Sequence, residues 1–223
     1  MEVFEIGELK LYVNKEHRFG TDAIKLADFA TSVGSDRRSA RNRPKIICDL
    51  CTGCGIVPFL LLNKNAKKIY AVDINEEAIT LLRESIKVNS LEKIIFPVHE
   101  DLKKITQIPA GSVDLVTMNP PYYRADDGFK REKQDTARHE ILCTLDDAVR
   151  AATAMLKFGG RLAMCHIPER LADVICTLRK YNLEPKKLEL LSNNRKEPWL
   201  ILISAKKGGK PNIKIKFAID NCE

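Results

Sequence analysis

Asn119, Pro120, Pro121 and Tyr122 are the residues of this chain best suited to chemistry on a flat polar group. They follow Met118 and the apolar run 113–117. Proline has no amide hydrogen for a sheet ladder and its ring restricts the residue before it, so pairing must stop there. Asn119 is thereby expected at the end of a strand. Its amide can hydrogen-bond a planar ligand and the Tyr122 ring can stack on one, both held on a backbone that can relax into neither helix nor sheet. An isolated Asn-Pro pair is usually only turn punctuation. What argues for a site is the sequence upstream.

The stretch Asp49-Leu50-Cys51-Thr52-Gly53-Cys54-Gly55 ends a β-like run and leads directly into a helical pattern. Two glycines at a strand-to-helix turn let backbone approach a ligand closely, and the helix start offers unpaired amides. A second run ends in Asp73-Ile74, where a carboxylate can accept both hydroxyls of a ribose. A third reaches Glu100-Asp101-Leu102, where a carboxylate could meet an adenine amine and a backbone amide a ring nitrogen. Any one of these acids alone would read as a strand-end cap. Together, beside a glycine turn, they predict an adenosine cofactor beyond the carboxyl ends of a sheet. A dinucleotide is disfavoured, because Pro58 stands where the third glycine of that fingerprint would be.

The motifs DLCTGCG, AVDIN, EDL and MNPPYY, in this order, resemble those of class I S-adenosylmethionine-dependent methyltransferases, the last resembling the amino-methylating subgroup. FGTDAIKLADFA, ARHE and LKFGGRLAMCHIPERL extend the similarity over nearly the whole chain, to the bacterial tRNA1(Val) adenine-37 N6-methyltransferases. The resemblance implies S-adenosylmethionine as cofactor, with Asp49, Gly53 and Gly55 around its methionine part, Cys51 and Ile74 flanking it, Asp73 on the ribose, Asp101 with Leu102 at the adenine, and Asn119 at its reactive end. It implies tRNA as partner and Asn119, Pro120, Pro121 and Tyr122 as the catalytic clamp. An exocyclic adenine nitrogen is a poor nucleophile, since its lone pair is delocalised into the ring. If Asn119 Oδ1 and the Pro120 carbonyl accept its hydrogens, the nitrogen bends towards a tetrahedral shape and the lone pair turns outwards, chiefly through positioning. Tyr122 would stack on the base, a contact worth ~1 to 3 kcal/mol. No strong base is required, and none of His17, His99, His139 and His166 is assigned a catalytic role. The same clamp could serve a glutamine side-chain amide of a protein, and a noncatalytic nucleic-acid-binding module is a third possibility.

The elements that must hold these residues alternate strand and helix from Lys45 onward, which predicts an α/β fold with a mostly parallel sheet and helices on both faces. Strands are expected over 46–49, 68–74, 94–98, 113–118 and 161–166, and helices over 57–63, 76–88, 145–156 and 169–181. The last runs, 187–191, 199–205 and 213–219, lack intervening helices, so the sheet should finish antiparallel. The whole is a Rossmann-like, seven-stranded sheet in one domain spanning 1–223. Within it, 1–44 is a hairpin and helix extension (the helix near 22–33, with Thr21 or Asp22 as its cap), 45–207 the core and 208–223 a basic terminal strand. The charged stretch 123–140 is long for an ordinary loop. Its Arg124, Lys130, Arg131, Lys133 and Arg138, with Tyr122, are expected to face the substrate, and the basic tail from Lys206 to Lys216 to grip phosphates.

Composition sets the outer bounds. The 223 residues can bury a sizeable core. Lys and Arg number 37 against 30 Asp and Glu, a net charge of +7 that favours a polyanionic partner. Seven cysteines, mostly inside apolar runs, argue against a disulfide framework and for a reducing cytoplasm. Cys51 and Cys54 form a CxxC, but no second Cys or His pair stands at zinc spacing, so no metal is expected. No apolar run approaches the ~20 residues of a membrane span, and no membrane partner is expected. The oligomeric state stays open, a monomer being the simpler expectation.

Overall fold

The computed structural model describes residues 1–33, 45–62, 66–122, 143–193 and 197–220. The chain starts with a hairpin, β1 (Glu2–Ile6) and β2 (Leu9–Val13), closed by a tight turn at which Gly7 takes φ +60°. Helix α1 (Thr21–Val33) follows, beginning where the Thr21-Asp22 cap signal stands. Next come β3 (Ile46–Leu50), α2 (Ile56–Leu61), β4 (Lys68–Asp73), α3 (Glu76–Val88), β5 (Ile95–His99) and β6 (Val113–Met118). The second half holds α4 (Leu145–Met155), β7 (Leu156–His166), α5 (Leu171–Lys180), β8 (Leu183–Asn193), β9 (Pro198–Lys207) and β10 (Lys214–Asp220).

The main sheet runs in the order β10-β8-β9-β7-β6-β3-β4-β5. Strands β3 to β7 are mutually parallel, whereas β9 runs antiparallel to both its neighbours. The α/β architecture is the expected one, with two corrections at its edge. The sheet has eight strands instead of seven, and its outermost strand, β10, is parallel to β8. After β9 the chain passes the start of β8 and enters the edge from the same end as β8 does, pairing Lys214 with Lys187. Strand β7 also begins five residues earlier than expected. Gly159 and Gly160 lie in an irregularity of its pairing with β6, and a side chain on Gly160 would meet the Lys157 carbonyl at 2.9 Å. The helix expected to start near 169 begins at Leu171, after a single 3-10 turn over Pro168–Arg170.

The two sheet faces carry separate cores. Leu26, Ala27 and Phe29 of α1, Phe59 of α2 and Ile79 and Leu82 of α3 cover one. Val149 and Met155 of α4 with Val174 and Leu178 of α5 cover the other. The N-terminal hairpin docks on α3 through backbone, the Tyr12 amide donating to Ser85 Oγ at 2.8 Å and the Lys10 amide to Asn89 Oδ1 at 3.0 Å. No helix among the described residues is long and apolar enough to cross a membrane.

The strand order reverses between β3 and β6, which lie side by side although two strand-helix units separate them in the chain. Ligands in such sheets bind in the crevice beyond the carboxyl ends at this switch point. The register makes that concrete. Leu50 pairs with both Val72 and Met118, so Cys51, Asp73 and Asn119 leave three neighbouring strands at one level.

Gly55 is fixed by packing. It takes φ +91° at the start of α2, and a Cβ there would stand 2.4 Å from Leu82 Cδ1 of α3. Replacing it by alanine combines left-handed strain with overpacking and should destabilise the fold by about 2 to 4 kcal/mol. Urea unfolding checks this; a midpoint equal to wild type would mean that α2 moves away from α3 freely.

Candidate active site

Beyond the carboxyl ends of β3, β4 and β6 lies a cavity of about 330 Å³. Its lining includes Cys51 and Gly53 from the glycine turn, Asp73, Ile74 and Asn75 after β4, Asp101 and Leu102 after β5, and Asn119 to Tyr122 after β6. The other wall comes from Glu16, His17, Arg18 and Asp22, ahead of and within the first turn of α1. Cys143, just before α4, also lines it.

Each expected cofactor residue has a definite place. Asp73 is a hub for backbone: its Oδ2 accepts the Gly53 amide at 2.8 Å and its Oδ1 the Asn75 amide at 2.9 Å. Gly53, at φ +55°, has nothing within 4 Å of where a Cβ would be. It therefore presents bare backbone, with Asp73 fixing the turn from below. Asp101 caps a short 3-10 turn, its carboxylate accepting the Lys103 amide at 2.9 Å. The carbonyl of Ile74 accepts from exposed His99, at 2.9 Å, which gives that histidine a structural task.

Asp49 and Gly55 do not line the cavity, contrary to the sequence expectation. Gly55 faces Leu82, as above, and Asp49 is 2% exposed beneath the turn. Asp49 Oδ1 accepts the Thr117 hydroxyl at 2.5 Å, tying β3 to β6 directly below the site. Burial pushes its pKa up to about 7; the hydrogen bond from Thr117 pulls it down and the charge of Asp73 adds to the rise. The folded protein thus holds this proton over a range in which the unfolded chain has released it. Stability associated with Asp49 is present below about pH 4 and is lost as pH rises towards 7. Buried His166 acts oppositely, its pKa lowered to about 4 by burial and then by Arg170. Comparing Asp49→Asn with wild type cancels the histidine. The difference in unfolding free energy should move in favour of the variant between pH 4.5 and pH 7, by about 1.4 kcal/mol per unit at most. A pH-independent difference would show that Asp49 stays ionised.

Around Asn119 the side chains form one closed network. Asn119 Nδ2 donates to Asp22 Oδ2 at 3.2 Å, and Cys165 Sγ donates to Asn119 Oδ1 at 3.0 Å. The Tyr122 hydroxyl lies 2.6 Å from Asp22 Oδ2 and 2.7 Å from Asn119 Oδ1, and its ring rests against His166 of β7 with centroids 5.3 Å apart. The Tyr122 hydroxyl thus points at Asp22 and Asn119, while the residue also lines the cavity. Burial, then the neighbouring Cys165 and Asp22, raise its phenol well above the ordinary value.

Sequence reading missed Asp22, Cys165, Cys143 and the 16–18 segment as parts of the site. Asp22 carried only a capping signal, and nothing local to Cys165 or Cys143 marks them. Arg124, Lys130, Arg131, Lys133 and Arg138, with His139, lie outside the described residues. Of the basic tail, Lys207 is engaged internally, its ammonium donating to the Thr153 and Leu156 carbonyls at the end of α4. Lys214 and Lys216 are exposed on β10. Among the described residues one grouping could ligate a metal, Glu16, His17 and Glu77, whose ligand atoms lie within 4.8 Å of one another.

The chain is similar to known methyltransferases in sequence and in fold. A tRNA1(Val) (adenine(37)-N6)-methyltransferase of Flavobacterium johnsoniae is 26% identical over 172 residues, covering 77% of this chain and 70% of the relative. The tRNA (guanine(37)-N(1))-methyltransferase Trm5b of Methanocaldococcus jannaschii is 37% identical over 100 residues, 43% of this chain but only 29% of that protein. Among solved structures, Methanocaldococcus jannaschii Trm5 in complex with adenosine superposes with a TM-score of 0.65 at 21% identity, over 93% of this chain and 55% of that one. A predicted O-methyltransferase from Agrobacterium tumefaciens gives 0.64 at 20% identity, over 89% and 85%. These two likenesses establish the methyltransferase fold. The model of the TRM5/TYW2 methyltransferase domain matches residues 19–141, more than half of the sequence, and the chain belongs to that family.

Proposed function

We propose that this protein methylates the exocyclic N6 of adenine 37 in the anticodon loop of a valine tRNA, with S-adenosylmethionine as donor. The observation that carries the reading is that Asn119 and Pro120 line the same cavity as Asp73 and Asp101. The residues fit the cofactor: Gly53 leaves its backbone bare, two carboxylates stand at successive strand ends, and the volume suits a nucleoside-sized group. Asp73 would hold the ribose hydroxyls, Asp101 and Leu102 the adenine, and Cys51 and Gly53 the methionine part. When bound, S-adenosylmethionine supplies an electrophilic methyl group on its sulfonium sulfur.

The protein's own groups do the rest by placement. Asn119 Oδ1 and the Pro120 carbonyl accept the two amine hydrogens, so the nitrogen lone pair points along one axis. As positive charge grows on nitrogen it meets oxygens already oriented for it. The Tyr122 ring, which lines the cavity, stacks on the base while its hydroxyl stays on Asp22. A loop adenine is the cheaper substrate, since extruding a duplexed base costs a few kcal/mol. Support for position 37 comes from relatives named for that position in both the adenine and guanine enzymes. The net charge of +7 and the exposed Lys214 and Lys216 favour a polyanion, and the basic stretch after Tyr123 would grip the stem phosphates.

The test offers labelled S-adenosylmethionine with unmodified valine tRNA and with the same tRNA carrying guanine at position 37. Label on the first at one adenine, and none on the second, is the expected result. Label on guanine 37, on several unrelated adenines, or on a glutamine of an added release factor overturns the substrate assignment.

A further inference from the structure

We propose that Asp22, at the first turn of α1, is a positioning residue that sets the Asn119 amide the right way round and keeps Asn119 Oδ1 free to accept from the target amine. The inference rests on the clamp role given to Asn119 above. Three observations lead to it.

Asp22 is itself held. Its Oδ1 accepts the Ala23 amide at 2.8 Å, which directs Oδ2 across the cavity. Gly20 lies against it, and a Cβ on Gly20 would stand 2.6 Å from Asp22 Oδ1. Helix α1 is anchored on the sheet by Ala23, Leu26, Ala27 and Ala30, so the carboxylate approaches Asn119 from a rigid element 97 residues away in the chain.

A primary amide is nearly symmetric in shape, so only its partners decide which end is oxygen. A carboxylate accepts and does not donate, hence the end of Asn119 facing Asp22 must be Nδ2. Oδ1 is thereby turned towards the Cys165 thiol and the Tyr122 hydroxyl. Reversed, the site would aim N–H groups at an amine, and the clamp would repel its substrate.

The Tyr122 hydroxyl has one hydrogen and two oxygens within reach, Asp22 Oδ2 at 2.6 Å and Asn119 Oδ1 at 2.7 Å. The charged acceptor makes the stronger hydrogen bond. The phenolic hydrogen therefore goes to Asp22, and the Asn119 oxygen keeps a lone pair for the incoming N–H. Without Asp22 that hydrogen falls to Asn119 Oδ1, which then meets the substrate already engaged.

The experiment compares wild type with Asp22→Ala, Asp22→Asn and Gly20→Ala. Asp22→Asn keeps the volume and an acceptor for α1, so it tests the idea even if the alanine variant fails to fold; Gly20→Ala displaces the carboxylate without removing it. S-adenosylhomocysteine affinity should stay within about threefold while the single-turnover rate falls about 10- to 100-fold in Asp22→Ala, at least as far in Asp22→Asn, whose Nδ2 turns the Asn119 amide the wrong way round, and less in Gly20→Ala. A second readout needs no substrate: the side-chain amide protons of Asn119 in a proton–nitrogen correlation spectrum, assigned against Asn119→Ala. The Nδ2 hydrogen that Asp22 Oδ2 accepts loses its partner in Asp22→Ala, so its resonance should move upfield and exchange faster with water than in wild type. Turnover within twofold of wild type, or a loss of cofactor affinity that matches the loss of rate, overturns the proposal. If wild type modifies glutamine instead of tRNA, the substrate assignment fails while the Asp22 comparison proceeds on that acceptor. If wild type modifies neither, the amide resonance decides, an unchanged shift in Asp22→Ala sinking the Asp22 arrangement.

Discussion

Asn119→Ala is expected to slow methyl transfer by about 10² to 10³-fold under single-turnover conditions while leaving S-adenosylhomocysteine affinity close to wild type. The Asn119 amide meets three side chains, those of Asp22, Tyr122 and Cys165. Its loss leaves the Tyr122 hydroxyl still bonded to Asp22 and strips the buried Cys165 thiol, a weak donor, of one partner. Neither change burdens the fold heavily. Asp73, Asp101 and Gly53 keep their backbone hydrogen bonds, none of which involves Asn119. What disappears is an oxygen placed in advance where charge develops, and that loss is felt only as the barrier is climbed. A variant retaining more than half of wild-type turnover would rule out the clamp.

Asp73→Ala should reduce cofactor affinity by at least about 100-fold, from two charge-assisted contacts of ~1.5 to 3 kcal/mol each. The contacts that Asp73 already makes enlarge the loss. Besides the ribose hydroxyls it would meet, the carboxylate already holds the Gly53 and Asn75 amides. Removing it releases the glycine turn and the start of α3 together, so the cofactor must bind a site that it also has to order. Asp73→Asn, which keeps one acceptor oxygen, should fall between the two. Calorimetry with S-adenosylhomocysteine measures both, and wild-type affinity in the alanine variant would remove Asp73 from the site.

Much of this protein was determined by sequence alone, where the governing forces are local. The stop at Pro120 and Pro121 after β6, the glycine turn after β3 and the strand-end acid Asp73 follow from backbone chemistry within a few residues, and each lies where its pattern put it. The order of strands and helices was legible for the same reason, since alternating apolar runs and caps are short-range signals. The tertiary structure decided whatever depends on residues distant in the chain. It turned Gly55 towards Leu82 and buried Asp49 under Thr117, so that two residues of an apparent binding motif became its supports. It ran β10 parallel to β8, a choice made by which end of the sheet the chain reaches after β9. Above all it brought Asp22 and Cys165 to Asn119 across 97 and 46 residues of chain. No local pattern encodes such a meeting, because it is fixed by how α1 packs on the sheet and by the register that sets β6 beside β7.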